Sequence, residues 1–233
     1  MLSVEEALEK ILSNVGRLEP EERPLLECLG QVLAEDIRSS FNIPPLDNSA
    51  MDGYAVRAID TLGASEVRFK KLQVIGEVAA GYLFQGRMGT DQAVRIMTGA
   101  PVPAGADAVI EYEETSEGRG QAWKGAAKGT TVDIFKEAFP GMNIRLAGED
   151  ISAGALVFSQ ATVLRPQEMG VLASLGRAKL RVFRRPLVAI LATGDELVEV
   201  GKPLGPGQIY NSNTYSIAGQ VLKYGGVPRL LGI

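Results

Sequence analysis

Apolar residues recur at helical spacing over the first part of the chain. Val4, Ala7, Leu8, Ile11, Leu12 and Val15 fall on one face, Ser3 with Glu6 reads as a capping box, and Gly16 closes the element. A second stripe, Leu25, Leu26, Leu29, Val32 and Leu33, predicts a helix over residues 24–36, which Gly30 weakens by about 1 kcal/mol relative to alanine. Both helices read as scaffold, and Cys28, inside the second stripe, reads as core. From residue 54 to about 134 the pattern changes to short β-favouring runs cut by glycine, at 67–69, 72–75, 93–97, 108–112 and 131–135. That spacing argues for a compact β domain, barrel or sandwich. The polar run over 113–128 reads as a solvated hairpin loop.

Residues 140–151 return to a turn-rich composition, and 166–175 read as a helix with Pro166 in its first turn and Gly176 as its stop. The run from Pro186 to Ala192 is continuously apolar, as expected of a parallel strand buried on both faces. Thr193, Gly194, Asp195 and Glu196 follow at its C-terminal end, where ligands bind in open α/β sheets. Asn213 is placed to cap a helix over 215–224 that ends at Gly225 and Gly226, and 227–231 begins another strand. One βαβ unit does not cover both faces of a parallel sheet. The expectation is therefore a fragment, a truncated gene product, or a chain paired with something that supplies the remainder.

Composition narrows the chemistry. The 233 residues are 45% apolar, enough for one large or two modest cores, and the net charge of −4 comes from mixed signs without a basic block. A nucleic-acid surface and a polybasic membrane patch are not expected, and without a signal-peptide pattern or a spanning apolar run the expected location is cytoplasmic. With a single cysteine, a disulfide framework and thiolate metal cages are excluded. Histidine is absent, which removes Ser-His-Asp and Cys-His nucleophilic machinery and histidine zinc sites. Carboxylates are left to carry the ion chemistry, and they suit hard cations such as Mg²⁺.

The densest turn chemistry is Pro44-Pro45-Leu46-Asp47-Asn48-Ser49-Ala50-Met51-Asp52-Gly53-Tyr54-Ala55-Val56-Arg57. Its prolines stiffen the entry, and its Asp-Asn-Ser and Asp-Gly steps favour turns that bring amides and carboxylates together. A plain β-hairpin turn explains the same residues. Three further segments complete a set: Arg95 to Asp107 (Arg-Ile-Met-Thr-Gly-Ala-Pro-Val-Pro-Ala-Gly-Ala-Asp), Asn143 to Ile151 (Asn-Ile-Arg-Leu-Ala-Gly-Glu-Asp-Ile), and Ala192 to Leu197 followed by Gly207 to Asn211. Together, and in this order, the four segments resemble the molybdopterin molybdenumtransferase family, which includes MoeA and the gephyrin E-domain.

The resemblance covers nearly the whole chain. It implies an α+β, multidomain fold: an elongated mixed helical region (1–45 and 140–180), an inserted β domain (46–139), and the start of a three-layer α/β molybdopterin-binding domain with a parallel sheet (181–233). It also implies insertion of molybdate into adenylylated molybdopterin with release of AMP, Mg²⁺ as cofactor, and a homodimer whose site is shared between protomers. Asp52, Asp150 and Glu196 match acidic family positions and are the candidate catalytic and metal-binding residues. Thr98, Arg145, Thr193, Gly194, Asp195 and Asn211 are the candidate substrate-binding residues. The Thr98 hydroxyl and nearby amides could contact an oxyanion, and the planar fork of Arg145 suits phosphate or molybdate.

Local alternatives stand beside these roles. Asp52 and Asp150 each suit a turn, Thr98 suits a rigid loop, and Asn213 suits a helix cap. In extended backbone only one of Asp195 and Glu196 faces a ligand, and the family position favours Glu196. Two other functions use the same features: a non-catalytic dimeric scaffold of this family, and a metal-dependent phosphoanhydride hydrolase.

Overall fold

A computed structural model describes residues 2–118 and 129–233. The chain divides into two compact units, Met1–Ile37 with Leu156–Ile233, and Arg38–Ala155. Residues 38–45 and 140–155 group with the β-rich unit.

The Arg38–Ala155 unit is built on a five-stranded mixed sheet in the order Ala108–Glu111, Gly53–Val56, Gln92–Ile96, Lys70–Val78, Thr131–Ile134. Lys70–Val78 and Gln92–Ile96 run parallel, while the other pairs are antiparallel. Gly53–Val56 is buried along its whole length between two neighbours. Tyr54, Val56, Leu72, Val74, Ile110, Val132 and Ile134 form one apolar cluster, and Ala55, Val78, Val94, Ile96 and Val109 form another. Alternation along the strands sends successive side chains to opposite faces, so one short apolar run feeds both clusters. Burial, and then the bond that Tyr54 Oη donates to Glu117 at 2.7 Å, push the Tyr54 phenol well above its ordinary pKa.

Two expectations for this unit change. Residues 67–69 are not a strand. Ser65 and Arg68 close a tight turn through reciprocal backbone bonds, Val67 is 96% exposed, and pairing begins at Lys70. The start of the 113–128 run is also held more firmly than a solvated loop: Thr115 is buried and bridges to Ile134, and Ser116 N donates to the Asp133 carbonyl. Residues 119–128 of that run lie outside the described residues.

In the other unit, the capping box forms as read. Glu6 N donates to Ser3 Oγ, Ser3 N donates to Glu6 Oε2, and α1 runs over Val4–Leu12. Its apolar stripe stays uncovered, with no residue of the helix buried. Local capping and periodicity suffice to shape this helix, whereas the expected scaffold packing is not seen.

The helix expected over 24–36 does not form. Pro20–Pro24 is a strand paired antiparallel with Lys179–Phe183, and only Leu25–Cys28 makes one 3₁₀ turn. Gly30 then takes φ +75°, and Val32 and Leu33 bridge to Val163 and Val182. The apolar spacing is real, since Cys28 and Leu33 are fully buried, but pairing with residues far along the chain outweighs the weak helical preference around a glycine. Burial pushes the Cys28 thiol pKa up, as expected of a core cysteine. Helix α2, Pro166–Ser174, agrees with the sequence reading: Arg165 N donates to Glu168 Oε2 at 2.9 Å, and Gly176 takes φ +72° just beyond the last turn.

Leu187–Leu191, helix α3 (Ser212–Lys223) and Val227–Gly232 form the expected βαβ unit, with the two strands parallel. The first strand is not buried on both faces. Ile190 alone among its five residues is buried, because the strand packs mainly against one neighbouring strand and one helix. Helix α3 begins earlier than expected. Asn211, not Asn213, is its cap, and Asn211 Oδ1 accepts from Thr214 N at 3.3 Å. No helix among the described residues is long and apolar enough to cross a membrane.

Candidate functional site

Three turn-rich segments of the Arg38–Ala155 unit are sewn together through their backbones. Ser49 N donates to the Ala100 carbonyl and Gly99 N to the Ser49 carbonyl, at 2.9 and 2.8 Å. On the other side, Asn48–Ser49 pairs antiparallel with Ile144–Arg145, and Ala50 N donates to the Asn143 carbonyl at 2.9 Å. The loop from 44 to 52 is therefore held between the loop at 97–103 and the loop at 143–151. Within it, Ser49 Oγ donates to the Met51 carbonyl and accepts from Met51 N, which fixes the bend just before Asp52.

The strand that begins at Gly53 places Asp52. A Cβ on Gly53 would stand 1.9 Å from the Ile110 carbonyl oxygen, so only glycine lets this strand lie against its neighbour. Asp52 closes the approach by accepting Tyr112 N at its own carbonyl, 3.0 Å away. Its side chain then meets Thr98: Oδ1 accepts from Thr98 N at 2.7 Å and from Thr98 Oγ1 at 2.8 Å. Two candidates from different segments are thus brought together. The Thr98 hydroxyl proton is directed at Asp52, so Thr98 holds the carboxylate and offers outward only lone pairs. Asp52 lines an open cavity of about 410 Å³ with Met97, Tyr112 and Glu113.

Arg145 and Asp150 also meet, but each occupies the other. Arg145 Nη2 donates to both Asp150 oxygens at 2.7 Å, and its Nε stands 3.9 Å from Glu149 Oε1. As a place for Mg²⁺, the loops offer little preformed coordination: among the described residues no three acidic or sulfur side chains converge. Asp52 Oδ2 accepts no hydrogen bond from those residues, and one carboxylate supplemented by water and phosphate oxygens suits Mg²⁺. Asp150 in its paired form does not fit that role.

The remaining candidates belong to the other unit. Thr193 and Asn211 line a cavity of about 230 Å³ at the C-terminal end of Leu187–Leu191, together with Leu197, Ser212, Asn213 and Thr214. The Asn211 oxygen is committed to the helix, leaving its amide nitrogen for other contacts. Gly194 has φ +150°, and a Cβ there would lie 2.6 Å from Glu196 Oε2, so the Glu196 carboxylate folds back over the Gly194 backbone. Asp195 and Glu196 are both exposed, and neither lines the cavity.

One residue of the site was not singled out by sequence reasoning. Asp47 Oδ1 accepts from Ala147 N at 2.7 Å, and its carbonyl accepts from Val102 N at 2.9 Å, so this single residue fastens both neighbouring loops. In the sequence Asp47 is turn chemistry, and no local signal marks a bond to a residue one hundred positions away.

A family model described as the MoeA N-terminal region, domains I and II, matches residues 2–176. The molybdopterin molybdenumtransferase of Bacillus subtilis is 38% identical over 231 residues, covering 99% of this chain and 52% of that protein. The Haemophilus influenzae protein of the same name is 40% identical over 218 residues, covering 93% of this chain and 50% of that protein. A solved molybdopterin biosynthesis MoeA protein from Pyrococcus horikoshii superposes with a TM-score of 0.86 at 36% identity, over the whole chain and 60% of that protein. The chain thus spans about half the length of the curated relatives it matches.

Proposed function

The chain belongs to the MoeA family, and from that premise we propose that it acts in molybdenum cofactor biosynthesis as a molybdopterin molybdenumtransferase. The reaction is insertion of molybdate into adenylylated molybdopterin with release of AMP. The observation that carries this reading is the union of Asp52 and Thr98: two segments 46 residues apart deliver a carboxylate whose Oδ1 is fixed by two donors and whose Oδ2 is open.

Such a site must hold several anions at once, so a carboxylate serves it by holding a cation or a water against them. When bound, Mg²⁺ would neutralise phosphate charge and orient the phosphoanhydride. Asp52 would hold it through Oδ2, and Thr98, fixing Oδ1, would keep that oxygen's direction constant. Arg145 supplies the fork for a tetrahedral oxyanion. Glu196, with Thr193, Gly194, Asp195 and Asn211, serves the pterin nucleotide at the end of the parallel strand. The same proposal includes a homodimer with a shared site and a cytoplasmic location.

The test is AMP release from adenylylated molybdopterin by the purified chain with Mg²⁺, with and without molybdate. Molybdate-dependent release is expected, and Asp52→Asn is expected to lower it by about 100-fold or more, the scale of a positioned catalytic group, with the circular dichroism spectrum unchanged. Release independent of molybdate would favour a hydrolase. No release by the unsubstituted chain would leave the family membership standing and remove the activity from this chain on its own, and an Asp52→Asn chain with full turnover would sink the catalytic role of Asp52.

A further inference from the structure

Asn143 opens the turn-rich motif that ends at Ile151, and its backbone takes the left-handed conformation, φ +56°. Glycine adopts that conformation without steric cost, and asparagine is among the few other residues that tolerate it. What asparagine adds at this position is a side-chain amide. Its Nδ2 donates to the Val109 carbonyl at 3.0 Å and to Glu111 Oε1 at 3.3 Å. Both partners are acceptors, so only the nitrogen end of the amide suits them. The strand it grips, Ala108–Glu111, is the last of its sheet and has one neighbour there, Gly53–Val56. Val109 is fully buried: its N–H donates to the Met142 carbonyl at 2.9 Å, and its carbonyl accepts from Asn143. The two bonds close this edge as a further strand would.

Beyond Glu111 the chain turns through Tyr112 and Glu113, which line the Asp52 cavity, and Tyr112 N donates to the Asp52 carbonyl at 3.0 Å. The Asn143 carbonyl accepts from Ala50 N at 2.9 Å, two residues before Asp52. One residue thus holds the loop before Asp52 through its backbone and the strand before Tyr112 through its side chain. We propose that Asn143 is a positioning residue for the Asp52 cavity: its side-chain amide fixes Tyr112 and Glu113 against Asp52, and with them the direction in which the carboxylate meets substrate. The proposal rests on reading that cavity as the site of the reaction. Without the amide donor, the buried Val109 carbonyl loses its partner, and the Glu111 carboxylate keeps Lys136, whose Nζ lies 3.5 Å away. Asp52 Oδ1 stays with Thr98, so the carboxylate is retained and only its surroundings loosen.

The experiment pairs amide hydrogen exchange with steady-state AMP release on Asn143→Gly and Asn143→Asp. Both replacements accept the left-handed backbone, and neither supplies the amide donor. Exchange at the Tyr112 amide is expected to rise about tenfold in each variant, the scale of one hydrogen bond. The reference is Val74 in the strand Lys70–Val78, whose N–H donates to the Thr130 carbonyl at 2.8 Å and should keep its protection. In AMP release, kcat should fall about tenfold with KM held within about twofold, because the groups that bind substrate remain and only their aim is lost. Unchanged exchange at Tyr112 in both variants overturns the proposal. So does equal acceleration at Val74, which would make Asn143 a stabiliser of the whole unit, and so does full kcat in a variant whose Tyr112 amide has loosened. No AMP release by the unsubstituted chain would remove the transferase reading from this chain, and the exchange rates alone would then decide whether Asn143 holds Tyr112 against Asp52.

Discussion

Asp52 and Glu196 each stand beside a glycine at a strand end, but the two glycines lie in opposite kinds of surroundings. Gly53 faces a backbone carbonyl that cannot move without breaking a sheet, whereas Gly194 faces the far end of the flexible Glu196 side chain. Around Asp52, a buried strand, two neighbouring loops and the Thr98 donors fix a carboxylate oxygen. Around Glu196, the strand is mostly exposed and the carboxylate is not among the groups lining the nearby cavity. One candidate carboxylate is thus held by its frame, and the other lies across a frame that yields. Preorganisation of a site is a property of the backbone packed behind it, which the identity of the acidic residue does not reveal.

The sharpest way to break this contrast is Gly53→Ala. With a carbonyl oxygen 1.9 Å from the new Cβ, the loss of stability should be about 3 kcal/mol or more, read by denaturant unfolding. Wild-type stability in that variant would remove the rigid frame from the account. Gly194→Ala should cost less, about 1–3 kcal/mol, because Glu196 can swing aside and only the strain of a φ near +150° remains. Its amide-exchange changes should be confined to the strand end. The smallest effect is expected for Asp47→Ala: about 1 kcal/mol from one lost bond to an exposed amide, with exchange at Ala147 accelerated while the Thr98 amide keeps its protection. Equal acceleration at Thr98 would mean that the loops open as one body.

The members of the candidate site are legible as residue types because they stand in contiguous motifs. Asp52, Thr98, Arg145 and Asp150 all stand out in their segments, and each proves to bond another member of the set. Their pairing was not legible. That Thr98 serves Asp52, and that Arg145 is taken by Asp150, depends on the packing of loops brought together across the sheet. The fold divides along the same line. Helices α1 and α2 obey local caps, which sequence displays directly. The stretch after Pro24 carries an equally good helical stripe, yet Gly30 and bridging to residues about 130 to 150 positions away turned it into a single turn and two bridges. Asn213 was a sound cap by type, and Asn211 displaced it because the helix starts one turn sooner than the apolar pattern suggests.

Beside the Asp47 and Asp52 carboxylates, the bonds that join the three loops run from main-chain amide to main-chain carbonyl, at Ser49, Ala50, Gly99, Ala100, Val102 and Asn143. Such bonds do not depend on which side chain a residue carries, but they do depend on how many residues separate one donor from the next. The three loops should accordingly tolerate many replacements at the partly exposed Ala50 or Val102, and should fail on the insertion or deletion of a single residue. In this part of the molecule, spacing along the chain is the heritable quantity, and spelling is secondary.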